Sequence, residues 1–291
     1  MELKQRLLHH LEQIVRDRNP YMASAGHFFA QQYIRQEMER WGTLEIHEFK
    51  DNGGVHSNLI LNLPGTKKSA DRPPILIGAH YDTVPGTAGA DDNATGVVVL
   101  LELAREFANN PPKNPVQLVA FDLEESRIIN NIKQPGLTGS TAYAKFLKEK
   151  GQNLRLMLSL EMLGYCDRTP NSQQYPAEIL KYFYPNTGDF IALIGNFTST
   201  LDLIRLSRNV RKQGTKCEWL TVPNRGKIVP ATRLSDHAPF WDRDYPAMMV
   251  TDTAFMRNPH YHQSSDTIET LDLDFLSGVC QGLIASIGVL E

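Results

Sequence analysis

Three stretches that read as strands constrain this chain most, because each of them ends in an acidic or imidazole side chain. The first, Ile75-Leu76-Ile77-Gly78-Ala79, is apolar at every position and runs straight into His80-Tyr81-Asp82. A strand apolar on both faces belongs at the centre of a sheet, covered by helices on either side. The second run, 116–123, ends at Glu124-Glu125, and the third, 156–160, ends at Glu161. Between the first two lie the pair Asp91-Asp92 and a helical stripe of Val97, Leu101, Ala104 and Phe107. Between the second and third, 138–148 reads as another helix. Strand, helix, strand, helix, strand implies a parallel core with helices on both faces. In such sheets ligands bind outside the carboxyl ends of the strands, which is where the topology gathers these residues.

The rest of the chain fits around that core. Leu3, Leu7, Leu11 and Ile14 recur at helical spacing, and a second helix from Ser24 carries Ala30, Ile34, Met38 and Trp41. Leu44 to Phe49 and 58–63 read as an edge hairpin about the Asn52-Gly53-Gly54 turn. The stretch 67–74 is a polar loop, and 165–187 is proline-rich and irregular. Strands are expected at 190–194 and 245–250, a basic helix at 201–211 and a final helix at 272–290. No break in composition marks a linker, so the expectation is one α/β domain over 1–291. Its sheet is mixed and largely parallel.

Composition narrows the function classes. Of 291 residues, 41% are hydrophobic and 22% charged, as in an ordinary globular protein. A net charge of −3 offers no basic field for nucleic acid or anionic membrane. Cys166, Cys217 and Cys280 are odd in number and scattered, which speaks against a disulfide framework and a thiolate zinc site. The first residues run into an amphipathic pattern rather than an apolar core, and no run approaches the roughly 20 apolar residues of a membrane span. A cytoplasmic location and no membrane partner are the expectations. Neither a G-x-S-x-G elbow nor a P-loop nor a G-x-G-x-x-G is present.

What remains is metal chemistry. Imidazoles combined with several carboxylates suit zinc or a related divalent ion. A hydrolytic site also needs one carboxylate free to move protons, taking one from the attacking water and returning it to the leaving group. The adjacent Glu124-Glu125 could divide those tasks if successive side chains at a strand end diverge. Each feature has a plainer reading taken singly. His80-x-Asp82 is commonly a structural pair, Asp91-Asp92 a helix N-cap, and Glu124-Glu125 a solvated turn. Arg205, Arg208, Arg211 and Lys212 read as a solvated face, with recognition of an acidic substrate as the rival. Glu161 stands apart, since an unpaired carboxylate closing a buried strand is costly.

His80-x-Asp82, Gly89-Ala90-Asp91-Asp92-Asn93-Ala94-x-Gly96 and Glu124-Glu125 together resemble the co-catalytic zinc aminopeptidases of metallopeptidase family 28. Leu137-Thr138-Gly139-Ser140, Ser235-Asp236-His237-Ala238-Pro239-Phe240 and His262-x-x-x-Asp266-Thr267 continue the resemblance in the same order. It implies a single α/β domain holding two divalent ions, with zinc the first expectation. On these motifs His80 and Glu161 would bind the first zinc, Glu125 and His262 the second, and Asp92 would bridge them. Asp82 would orient the His80 ring, and Glu124 would be the general base. Many family members with aminopeptidase activity carry Asp where this chain has Glu161. Asp236-His237 is expected to be structural.

The leading reading is an aminopeptidase acting on peptides. One alternative is a glutaminyl-cyclase-like acyltransferase, whose members on this fold use one zinc and typically lose the Asp-Asp pair kept here. Another is a carboxypeptidase-type exopeptidase. A receptor-like domain without metal would have lost ligands, whereas His80, Asp92, Glu125, Glu161 and His262 are all present.

Overall fold

The three expected strands lie side by side in an eight-stranded sheet. The computed structural model describes residues 1–66, 71–129 and 132–290. Helices α1 (Leu3–Ile14) and α2 (Ser24–Glu39) precede the hairpin strands β1 (Leu44–Asp51) and β2 (Gly54–Leu63). The core follows as β3 (Ile75–His80), α3 (Gly96–Asn109), β4 (Val116–Phe121), α4 (Thr138–Glu149) and β7 (Leu156–Glu161), with a small pair β5 (Arg127–Ile129) and β6 (Ile132–Gln134) ahead of α4. Then come β8 (Ile191–Asn196), α5 (Thr200–Lys212), β9 (Cys217–Val222), the single turn α6 (Ala238–Trp241), β10 (Ala247–Thr251) and α7 (Leu273–Ile287).

The strand order is β1-β2-β4-β3-β7-β10-β8-β9. The central four, β4, β3, β7 and β10, are mutually parallel, while β2 and β8 pair antiparallel with β4 and β10 on either side. The sheet is therefore mixed and parallel at its heart, as the sequence implies. Strand alternation divides the core into two layers. Ile75, Ile77 and Ala79 pack on one face with Val97, Leu101, Leu276 and Leu283 beneath α3 and α7. Leu76, Val119 and Phe121 point the other way, towards Tyr143, Leu147, Phe240 and Trp241 of α4 and α6. Helices on both faces leave the strands' carboxyl ends as the open edge of the core.

Several boundaries differ from the sequence reading. β4 stops at Phe121, and Leu123 adopts φ 57 in the turn that follows. The segment 165–187 carries a 3-10 turn at Glu178–Tyr182 and a bridge between Asp167 and Gly188. β9 lies where no strand is expected from sequence. The polar loop expected at 67–74 falls partly outside the described residues. On α5, Leu203, Leu206 and Val210 are buried while Arg205, Arg208, Arg211 and Lys212 face solvent. Arg211 spans to Glu218 at 3.0 Å, so the basic stripe is a solvated face, as its plainer reading holds. No described helix is long and apolar enough to cross a membrane.

Candidate metal centre

Parallel pairing brings two of the site residues together directly. The β3–β7 register sets Gly78 opposite Ser159, so His80 and Glu161, the last residues of their strands, stand opposite each other. His80 Nε2 lies 3.6 Å from Glu161 Oε1 and 3.3 Å from Asp92 Oδ1. The other oxygen of Asp92, Oδ2, lies 3.2 Å from His262 Nε2, which is 3.3 Å from Glu125 Oε1. Two triads share Asp92, His80–Asp92–Glu161 and Asp92–Glu125–His262, and a third group, His80–Glu124–Glu125, adjoins them; in each the ligand atoms lie within 4.8 Å of one another. Asp92 turns a different oxygen to each of its two triads. Glu124 Oε2 stands further off, 4.0 Å from His80 Nε2. All seven residues expected at the site converge here.

The loop carrying Asp92 is pinned from several sides. Asp91 and Asp92 sit in the kinked turn Ala90–Thr95, whose backbone is non-helical at Asp92 and Asn93, not at the N-cap of α3. Their backbone N–H groups donate to the Asp266 carboxylate at 2.9 and 3.1 Å. Asn93 Oδ1 accepts the N–H of Gly96 at the start of α3 and that of Met162 after β7, and its amide donates to Leu160 O. The N-cap reading of the acidic pair is thus corrected: the neighbouring Asn93 tethers the helix start. Asp91 turns away from the imidazoles and accepts from Gly164 N and Asn258 Nδ2.

Asp82 serves three neighbours. Its Oδ1 is 3.4 Å from His80 Nδ1, and its two oxygens accept the N–H groups of Glu124 and Glu125 at 3.0 and 3.1 Å. The two glutamates diverge because of the Leu123 turn and this clamp, not through strand pleat, since β4 has already ended. Ser235, which sequence reading left unassigned, donates to Glu161 Oε2 at 2.7 Å and is itself bonded to Ser159. Asp236 is fully buried, with the Ser140 hydroxyl beside it. Burial pushes its pKa up to about 7, against the pull of His80. His260, by contrast, bonds Ser265 and belongs to the loop. Cys166 is kept protonated by burial, which does not suit a nucleophile.

The electrostatics call for positive charge. Burial lowers the His262 pKa, but Asp92 and Glu125 overcome it and push the ring to about 10. Burial likewise opposes the charged form of His80, and Glu124 and Glu161 still hold it well above its usual value. Glu125 is raised to about 7 by burial and by the charge of Asp92. His80 Nε2 is buried without a hydrogen-bond partner. An orphaned imidazole nitrogen facing carboxylates is what a cation ligand looks like, and the oxygen-and-nitrogen donor set fits zinc.

Close packing at Gly96 gives a check on this geometry. A Cβ there would stand 2.4 Å from Asn93 Oδ1 and 2.8 Å from Leu160 O. Gly96→Ala is expected to cost roughly 1–3 kcal/mol through overpacking. Denaturant midpoints compared with the parent measure this, and an unchanged midpoint would show that α3 and the Asp92 loop part freely.

An open cleft begins at Glu161 and Tyr261. Its walls are largely apolar, with Tyr175, Tyr184, Phe190, Trp219, Met249 and Phe255 prominent. The hydroxyls of Tyr175 and Tyr184 donate to the carbonyls of Pro185 and Trp219, which leaves ring carbons to line the space. Tyr261 stacks on His262 with ring centroids 3.8 Å apart, joining the cleft to the metal triads.

Comparison with known proteins agrees with this architecture. Uncharacterized protein YfbL of Escherichia coli (strain K12) is 38% identical over 242 residues, which cover 80% of this chain and 70% of YfbL. A probable leucine aminopeptidase of Trichophyton verrucosum is 27% identical over 259 residues, covering 82% of this chain and 59% of that protein. Among solved structures, the LapA aminopeptidase of Legionella pneumophila superposes with a TM-score of 0.71 at 20% identity, over 99% of this chain and 73% of LapA. A glutaminyl cyclase of Fimbriiglobus ruber gives 0.71 at 19% identity, over 99% and 95%. These two likenesses speak to the fold alone. The chain spans less than two thirds of the curated leucine aminopeptidase's length. The model of Peptidase family M28 matches residues 58–286, a span holding both triads, and the chain belongs to that family.

Proposed function

We propose that this protein is a zinc-dependent aminopeptidase that holds two divalent ions and removes N-terminal residues from peptides. The observation that carries the reading is Asp92, whose two oxygens face two different imidazoles at 3.3 and 3.2 Å. A carboxylate placed that way suits a pair of ions sharing one ligand. His80, Asp92 and Glu161 would hold one ion, and Asp92, Glu125 and His262 the other. When bound, such ions polarise a peptide carbonyl and make water a nucleophile at neutral pH.

The remaining chemistry falls to side chains of this chain. Glu124 accepts the proton of the attacking water at its carboxylate and passes it to the leaving amine. Asp82 holds the Glu124 and Glu125 backbone and the His80 ring, so that the proton acceptor and the ion ligands keep fixed positions. The cleft beside Glu161 receives the first side chain of the peptide, and its aromatic walls exclude water around it. Glu218, the other carboxylate on the wall, is engaged by Arg211.

Two outcomes are expected from a panel of aminoacyl anilides and matched peptides. Burying a large apolar side chain stabilises by about 1.5–3 kcal/mol, so phenylalanyl or leucyl substrates should exceed alanyl ones roughly 10–100-fold in kcat/KM. A peptide with a free N-terminus should be cleaved and its N-acetylated twin should not, because acetylation removes the amine lone pair and adds bulk. Equal cleavage of both, or release from the carboxyl end, would remove the aminopeptidase reading and leave a metallohydrolase. The cyclase reading is tested by metal stoichiometry: one firmly bound ion, with conversion of N-terminal glutamine, would favour it.

A further inference from the structure

We propose that Arg18 is a positioning residue for the metal centre, acting through the loop that joins His80 to Asp92; the inference rests on the metal reading above. Arg18 precedes the residues matched by the family model, 58–286, and no sequence pattern marks it. It is fully buried. All of its side-chain hydrogen bonds go to backbone carbonyls. Nε donates to Tyr81 O at 2.9 Å, Nη1 to Ala88 O at 2.8 Å, and Nη2 to Gly89 O at 2.9 Å. Nη1 also reaches Ile14 O and Arg16 O, both at 3.1 Å, tying the fork to the end of α1.

Its neighbours in sequence grip the same loop. The Arg18 N–H donates to Thr83 Oγ1 at 2.9 Å, Asn19 Nδ2 to Thr83 O at 3.0 Å, and Gly86 N to Asp17 Oδ2 at 2.8 Å. Tyr81 adjoins the ligand His80, and Gly89 opens the turn that presents Asp92. One planar guanidinium thus fixes both ends of the loop whose ends carry two of the proposed ligands. Only Arg offers several N–H donors in a rigid fork; a Lys ammonium concentrates its donors on one atom and cannot span three separate carbonyls. Gly89 leaves room for this contact, since a Cβ there would sit 2.9 Å from Arg18 Nη2.

The test measures zinc affinity by chelator competition on folded protein, with circular dichroism and thermal midpoint recorded alongside. Arg18→Lys and Arg18→Gln are expected to weaken zinc binding roughly 10–100-fold, as loss of groups that orient ligands typically does. KM for an aminoacyl anilide should hold while kcat falls, because Arg18 does not line the cleft. Thr83→Ala keeps the guanidinium, removes one anchor of the loop, and should weaken binding in the same direction by less; it decides the matter if Arg18→Gln does not fold. Arg40→Gln, at an exposed arginine, serves as the control. A parent protein that binds two zinc ions beside folded variants of unchanged affinity overturns the role of Arg18, whether or not their thermal midpoints fall. A parent that binds no zinc overturns the metal reading itself.

Discussion

Glu124→Gln is expected to keep both ions and lose most of the rate. The amide has nearly the same shape but accepts no proton at neutral pH. General acid–base catalysis contributes about 10²–10⁴-fold, and a fall of that size in kcat is the expected reading. The position of Glu124 supports the assignment. Its carboxylate stands furthest from the imidazoles among the clustered acids, at 4.0 Å from His80. Its backbone is held from both sides, with N–H on Asp82 and carbonyl accepting from Leu137 at 2.7 Å. Burial, opposed by His80 and reinforced by Glu161 and Glu125, raises its pKa well above the usual carboxylate value. An acid tuned upwards can both take a proton and give it back. Glu125→Gln should behave differently and weaken metal binding, because Glu125 stands against His262 and Asp92. Metal content and kcat measured on both variants decide the roles. Retained ions in Glu125→Gln with lost ions in Glu124→Gln would exchange them.

The parts of this arrangement legible in the sequence are those set by strand periodicity and parallel topology. Apolar runs ending at His80 and Glu161 needed only the rule that ligands gather at strand carboxyl ends. The motif order from His80 to Asp266 carried the family, which the match over 58–286 bears out. Polar residues whose partners are distant backbone groups were not legible. Arg18 serves carbonyls 63 to 71 positions away, and nothing local distinguishes it from a surface arginine. Ser235 and Asn93 likewise gain their meaning from β7. Strand β9 escaped because four of its six residues are only half-buried, so its apolar signal is thin. The turn at Leu123 was hidden because an apolar residue follows Asp122 and prolongs the strand-like pattern two residues past the last ladder position. One clue was available: Ser235-Asp236-His237 is a polar cluster heading an apolar turn, a pattern that asks for partners once buried.

Asp92→Ala is expected to lose the ions and turnover together, since the two triads share that carboxylate. Its charge state links metal binding to protons. Burial raises its pKa, but the His262 and His80 imidazoles beside it prevail and hold it well below the usual carboxylate range. In metal-stripped protein, a depressed carboxylate contributes stability above its unfolded pKa of about 3.9, lost as pH falls through the folded value. His262, raised to about 10, contributes in the opposite sense. Its share is complete below the unfolded value of about 6.5 and is lost as pH climbs towards the folded one. The stripped protein should therefore draw most from this pair between roughly pH 4 and 6.5, and Asp92→Ala should flatten that part of its stability curve. Zinc ligation requires neutral imidazoles, so loading must release protons, and affinity should rise with pH across the same range and above it. Calorimetric titration with zinc in two buffers of different ionisation enthalpy counts the protons released. Chelation should abolish turnover in the parent and added zinc restore it, whereas neither should affect Asp92→Ala. A variant that still binds two ions at parental affinity would show that the carboxylate between the imidazoles is not their shared ligand. Loss of only one ion would assign Asp92 to a single site and move the reading towards a one-metal enzyme.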